Sequence, residues 1–298
     1  MKTLLRILML TVLFCINNLA IGQSNEIQVD TNNIYKVELR DGSVFYGNIF
    51  YQDSVKIELR TTSIPKLDIP LSKILKLDEL DKSNFRNGKY WFNNPHATRY
   101  LHGPSAFNLK KGEGYYKNTM LIMNSFNYGI TDNISIGGGI ELISTFGSIL
   151  TESFNPIFFI TPKVSYKVAN NIHAGAGVIY VNVPGFLEDR TGMGIAYGIG
   201  TYGTEEYNMT AGVGYGFIQG TLANNPVLTL SGMARISRRT ALVTESWFIP
   251  MDGYNGMHTY GIRFLAEKTA IDLAFINNPD IASAIIIGIP YVSFSVKI

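Results

Sequence analysis

Hydrophobic and polar positions alternate with a period of two along most of this chain, and the alternation changes character near residue 115. Within 158–168, Phe158, Ile160, Val164, Tyr166 and Val168 share one face, and Thr161, Lys163, Ser165 and Lys167 share the other. Residues 172–182 and 207–217 repeat the pattern, with Gly, Thr, Asn and His opposite the apolar side. A period of two predicts β-strands with one apolar face. Twelve strands are predicted, near 98–108, 115–129, 134–144, 157–168, 172–182, 191–203, 206–219, 227–236, 240–249, 257–266, 269–276 and 284–297, with ten to fourteen as the range. Short polar turns are expected at 131–133, 169–171, 204–205, 237–239 and 267–268. Longer connections are expected at 145–156, 182–190, 220–226, 250–256 and 277–283. Tight turns alternating with long loops, on strands long enough to cross a bilayer, are the pattern of a transmembrane antiparallel β-barrel. A soluble sandwich would also alternate, but its solvent face would carry Lys and Glu. Glycine pairs such as Gly175/Gly177 and Gly212/Gly214 fall mid-strand rather than at a strand-to-helix turn, so they are not a phosphate loop. On an inward face they relieve crowding.

Residues 34–80 read differently, with more charge and shorter runs. Val37 and Leu39 precede Asp41-Gly42, a type I′ hairpin signal, and Val44 and Tyr46 follow it. Gly47 interrupts the second strand, as at a bend or bulge. Val55, Ile57 and Leu59 form a third strand, and Ile69, Ile74, Leu75 and Leu77 close the pattern. Four or five short strands predict a small β-barrel domain of SH3 or Sm type. The runs DGS, G-x-I and IPLSKI resemble Sm-like domains in spacing. Mixed charge here argues against nucleic acid and leaves a periplasmic protein as the candidate partner of 34–80. Residues 81–97 read as a join, rich in Asn and aromatics, with 98–298 as the barrel.

Residues 1–22 carry Lys2 and Arg6, a short apolar core, and the small residues Ala20 and Gly22, which together predict a secretory signal peptide. A lipoprotein reading of Cys15 competes, but Phe14 stands where a small residue is expected. Composition agrees with export. The chain has 298 residues, one Cys and 16% charged residues, against roughly 25% in ordinary soluble domains. Without Lys2 and Arg6 the mature chain holds 23 basic and 23 acidic residues, so no charge excess draws nucleic acid. Loss of Cys15 leaves no thiol for a disulfide or metal site.

The run WFNNPHATRYLHGPSAFNLKKGEGYYKN, followed by GITDNISIGGGIE, resembles an uncharacterised outer-membrane family seen in Bacteroidota. The likeness extends over roughly 34–298. It implies an outer-membrane location, with outer-membrane lipid around the barrel, and carries no activity. With an even strand count, the 34–80 domain and both termini are expected in the periplasm.

Charges expected to point into the lumen are Lys117, Glu141, Lys163, Lys167, Arg235, Arg263 and Asp272, with Glu245 as a further candidate. Mixed signs suggest pairs that fill and rigidify the interior, because an unpaired buried charge is costly. They could instead line a narrow diffusion pore, since twelve strands fall between a filled barrel and an open one. His96 and His102 stand six apart with no third ligand at metal spacing. No cofactor is implied, and an enzyme is not expected. A membrane-embedded lipid hydrolase would need a Ser–His pair within about 3.2 Å and a third group orienting the His. His173 and His258 are the candidates; the register faces His258 to lipid.

Overall fold

A computed structural model describes residues 33–86, 89–150, 156–187, 189–250 and 254–298 of this chain. The predicted signal peptide lies outside the described residues. The chain forms two compact units, residues 1–90 and 91–298.

The first unit holds β1 (Ile34–Leu39), β2 (Val44–Gln52), β3 (Lys56–Arg60), β4 (Leu67–Pro70) and β5 (Ile74–Leu80), in the antiparallel order β4-β3-β2-β1-β5. Alternate residues point inward, so Tyr35, Val37, Leu39, Ile49, Ile57, Leu59 and Ile69 make one core. The β1–β2 turn is longer than a type I′ turn. Gly42 N–H donates to Leu39 O and Leu39 N–H to Ser43 O. Gly42 alone takes a positive φ, 86°, as in a type I turn followed by a left-handed residue. The register between β2 and β3 shifts between Ile49 and Tyr51, beyond the expected Gly47, which pairs in register with Tyr35. At Gly47 itself a Cβ would sit 2.1 Å from the Arg60 carbonyl oxygen, so the strands approach too closely for any side chain. Two short pieces follow, β6 (Phe85–Arg86) and β7 (Lys89–Tyr90), with Tyr90 stacked on Tyr46.

The second unit is a closed antiparallel barrel of twelve strands. Its strands are β8 (Gly114–Thr119), β9 (Met123–Gly129), β10 (Ile134–Glu141), β11 (Phe158–Ala169), β12 (Ile172–Leu187) and β13 (Asp189–Gly203). They continue as β14 (Tyr207–Ile218), β15 (Thr221–Ser237), β16 (Thr240–Pro250), β17 (Tyr254–Leu265), β18 (Thr269–Asn277) and β19 (Ile289–Lys297), and β19 closes on β8. The count matches the expectation, but two assignments within it change. Residues 98–108 are no strand; their ladder is the single bridge between Arg99 and Pro104. The segment predicted as one strand at 115–129 is instead the hairpin β8–β9, reversed where Met120 and Leu121 take positive φ.

The expected long loops also divide. Residues 221–226 belong to β15, because Gln219 and Gly220, at φ of 51° and 84°, reverse the chain in two residues. A register shift near Tyr215 accommodates Pro226 in the ladder. At 182–190, β12 and β13 run on almost to the tip. Helix α1 (Leu142–Leu150) occupies part of 145–156, and helix α2 (Pro279–Ala284) part of 277–283. Residues 251–253 of the expected loop at 250–256 lie outside the described residues. These connections share one end of the barrel. The turns near 131, 170, 204, 238 and 267 share the other, called here the terminal end because β8 begins and β19 ends there.

Outside, the barrel is apolar: Phe126, Tyr166, Met209, Leu230, Leu242 and Leu273 are all exposed. Helix α1 repeats this inversion. Its Thr145 and Ser148 are buried while Ile143, Phe146, Ile149 and Leu150 are exposed. We expect Gly47→Val to destabilise the first unit selectively, by more than about 2 kcal/mol, because the β2–β3 pairing must part. Limited proteolysis of the full chain should then cut within 33–86 and spare the barrel.

Candidate functional site

The lumen of the barrel is filled by the residues just before it. Residues 91–113 enter it as an irregular segment in which Phe92, His96, Ala97, Arg99, Tyr100, Leu101, Ser105, Ala106 and Phe107 are buried. At its centre the chain reverses: Tyr100 N–H donates to Gly103 O at 2.9 Å, and Ser105 N–H to Thr98 O at 3.0 Å. A segment this irregular leaves backbone N–H and C=O groups without ladder partners, and each must find one in the wall.

The inward charges supply those partners. On β16, Glu245 accepts three successive backbone N–H groups, from Leu101 and His102 at 2.8 Å and from Gly103 at 2.6 Å, and also the Trp247 indole N–H. Consecutive N–H groups converging on a carboxylate form an anion nest. Gly103 is required there, because a Cβ would lie 2.9 Å from Glu245 Oε1. Facing carbonyls are met by cations. Arg263 on β17 donates to Tyr100 O at 2.8 Å and to His96 O and Arg99 O at 3.2 Å. Lys163 on β11 donates to Ser105 O at 3.0 Å and to Phe107 O. Lys117 on β8 donates to Leu101 O at 2.6 Å, and Tyr291 on β19 donates to the same oxygen at 2.7 Å. Arg235 on β15 reaches Phe92 O at 2.7 Å while pairing with Glu206 at 2.8 Å.

One charge cluster ties the segment covalently distant from the wall into it. Asp272 on β18 pairs with Arg263, its direct cross-strand neighbour, at 2.6 Å and with Arg99 of the segment at 2.9 Å. It also accepts the Ser293 hydroxyl at 2.7 Å, and Arg99 donates to Ser295 at 2.7 Å. Asp272 and Arg263 are wholly inaccessible to solvent and Arg99 is nearly so. Tyr100 extends to the far wall, where its hydroxyl meets Asn208 and Thr210 of β14.

Of the charges expected inward, Lys117, Lys163, Arg235, Arg263, Asp272 and Glu245 therefore all touch the inserted segment or the cluster that holds it. Glu141 and Lys167 lie elsewhere. Glu141, at the end of β10, accepts the N–H groups of Ile143 and Ser144 and so caps α1. Lys167 is exposed near the terminal end of β11. The strand period places both on the inward side, but each lies beyond the stretch that the segment occupies. Outside the strands, burial raises the carboxyl of Glu113, but hydrogen bonds from Lys297 and the Lys110 backbone N–H, with the charges of both lysines, together outweigh it and leave the group below its ordinary value. Burial, and then Glu206, push Glu205 above its own.

His96 packs edge-on against Tyr115, whereas His102 bonds Thr259 and packs on Tyr291, so the two do not converge on one point. His173 packs at a tilt against Phe107, with ring centroids 4.7 Å apart. His258 Nδ1 and Ser246 Oγ stand 2.9 Å apart on the outer face, within the distance a Ser–His pair needs. Among the described residues no hydrogen bond orients the ring from its other nitrogen. Asn277, its cross-strand neighbour, gives its amide to Ile286 O.

Between the segment and β8–β13 lies a cavity of about 370 Å³. Its walls include Lys117, Lys163, Phe159, Ile179, Val181 and Tyr197.

No family model matches this sequence, and no curated protein does either. Among solved structures the chain is similar to a KdgM porin in complex with disordered oligogalacturonate, at 7% identity and a TM-score of 0.42, over 62% of this chain and 95% of that one. It is also similar to a loop-deletion mutant of OmpT, an outer membrane protein of Vibrio cholerae, at 9% identity and a TM-score of 0.29, over 89% and 96%.

Asp272→Asn keeps the shape but leaves Arg99 and Arg263 without a counter-charge. It should cost about 3–5 kcal/mol. Urea unfolding of the barrel in lipid vesicles measures this, and a loss below about 1 kcal/mol would show that the cluster does not hold the segment.

Proposed function

We propose that this chain is an outer-membrane β-barrel kept closed by its own residues 91–113, with a binding or structural role rather than that of an open diffusion pore. The observation that carries the reading is the fastening of that segment. Glu245, Arg263, Lys163, Lys117 and Arg235 each satisfy its backbone, and Arg99 joins it to Asp272. A segment held by so many charge-assisted bonds from opposite walls does not leave by thermal fluctuation alone.

The exposed apolar belt supports the membrane. Soluble surfaces rarely carry a continuous apolar band of this extent, and outward apolar with inward polar is the arrangement of a barrel in lipid. Helix α1, polar side in and apolar side out, suits the lipid boundary. An exported chain begins in the periplasm, and an even number of strands returns Ile298 there. On this reading the terminal end faces the periplasm, where residues 34–80 are also assigned. In the small sheet, Lys56 and Lys66 pair with Glu58, and Lys56 with Asp68, so its charges are self-matched. We assign it a protein partner rather than a nucleic acid.

Planar-bilayer recording tests the closed state. The full chain should show at most a small conductance. Removal of 91–113 should open a larger, steady one, and Glu245→Ala, which leaves three N–H groups unpaired, should raise the frequency of opening. A large stable conductance in the unaltered chain would overturn the reading and leave a diffusion channel.

A further inference from the structure

The charges inside the barrel do not balance. Arg235 has Glu206. Arg99 and Arg263 share Asp272. Glu245 is taken by N–H groups, not by a cation. Lys117 and Lys163 remain, and each bonds only to carbonyls of the inserted segment among the described residues. A backbone carbonyl solvates an ammonium group but does not neutralise it.

Both lysines line the same cavity, together with Arg99. Among the described residues that line it there is no aspartate or glutamate. An ammonium has three donors. Lys163 spends two on Ser105 O and Phe107 O, and Lys117 spends one on Leu101 O. Three N–H donors are thus left at the wall of a ligand-sized space, on two lysines to which no described carboxylate is bonded. Lysine ammonium groups at a partly enclosed wall, with no carboxylate bonded to them, favour an anion there.

The rest of the wall is unlike a site for a small inorganic anion. Leu101, Leu109, Met123, Phe159, Ile179 and Val181 give it a largely apolar surface, and Ser125, Asn127, Ser135 and Thr161 also line it. Its volume falls within the range of small-molecule sites, which are mainly apolar with a few convergent polar groups. An apolar chamber with two ammonium groups at the inserted segment fits one chemistry: an anionic head joined to a single hydrocarbon chain. We propose that this cavity binds a single-chain fatty carboxylate, its head at Lys117 and Lys163 and its chain along Phe159, Ile179 and Val181. The inference rests on the closed-barrel reading, since the inserted segment forms one wall of the site.

Equilibrium binding of radiolabelled dodecanoate to the full chain in lipid nanodiscs, against empty nanodiscs, tests it. Saturable binding of one dodecanoate per chain is expected. Dodecanol and acetate should each bind at least tenfold more weakly, one lacking the charge and the other the chain. Lys117→Met with Lys163→Met should weaken dodecanoate at least tenfold. Those lysines also hold the segment, so Ile179→Trp provides a second variant that fills the chamber and leaves both in place; it too should weaken binding at least tenfold. Dodecanol binding as tightly as dodecanoate would overturn the role of the lysines. Binding unchanged by Ile179→Trp would place the ligand elsewhere, at the lipid boundary. No saturable binding to a chain that is closed in planar bilayers would overturn this inference alone, whereas an open chain would overturn the closed reading itself.

Discussion

The structure depends on one constraint: a backbone N–H or C=O taken into a closed barrel must find a partner there. The inserted segment brings backbone N–H and C=O groups with no ladder of their own, and an unpaired buried group costs about 1–3 kcal/mol. The wall brings charges whose burial alone would be more costly still. Each solves the other. Glu245 satisfies three N–H groups in a row, and Arg263 satisfies three carbonyls while keeping its bond to Asp272. Without the segment, water entering the lumen must take its place at these charges.

This also explains why the outside is so different. In a soluble protein polar groups turn to water and apolar ones inward. Here Phe126, Met209 and Leu273 turn out, while Ser165, Thr210 and Ser293 turn in. Helix α1 follows the same inversion over a shorter span, with Thr145 and Ser148 inward. A single rule covers both, that the apolar phase surrounds the unit and the polar phase is inside it.

Period-two alternation made the strands legible, because it reports faces directly. It placed Lys163, Arg235, Arg263 and Asp272 on the inward side, and in the structure all four side chains are buried. What alternation cannot report is a partner far away in sequence. Residues 98–108 alternate well enough to suggest a strand, yet Gly103-Pro104 lies in their middle and their partners are as distant as Glu245 and Asp272. The sign that something fills the lumen lay in the wall: too many long inward charges for an empty barrel of this size. The loop expected at 220–226 failed for a local reason. Asn224, Asn225 and Pro226 read as a loop, but the reversal sits at Gln219-Gly220, and a register shift near Tyr215 lets the proline join a strand. Glu141 and Lys167 show the remaining limit of a face assignment: it fixes a side, not a depth.

Depth is where the lumen becomes asymmetric. The long gripping side chains stand on β15–β18, in Arg235, Glu245, Arg263 and Asp272. Across the barrel, β10 and β12 place Gly137 and Gly177 on the inner face. A Cβ at Gly137 would lie 2.2 Å from Asn127 Oδ1 and 2.3 Å from Thr161 Oγ1, and one at Gly177 would lie 2.5 Å from the Tyr197 hydroxyl. Asn127, Thr161 and Tyr197 all line the cavity. So these glycines let neighbouring side chains lie flat against the wall, and the space appears on their side. The segment is drawn toward the strands that carry charge and away from those that carry glycine. Lys117 and Lys163 are the exceptions on the open side, reaching across to its carbonyls with charge to spare. The cavity and the two lysines without a bonded carboxylate thus arise from the same uneven distribution of side-chain size around twelve strands.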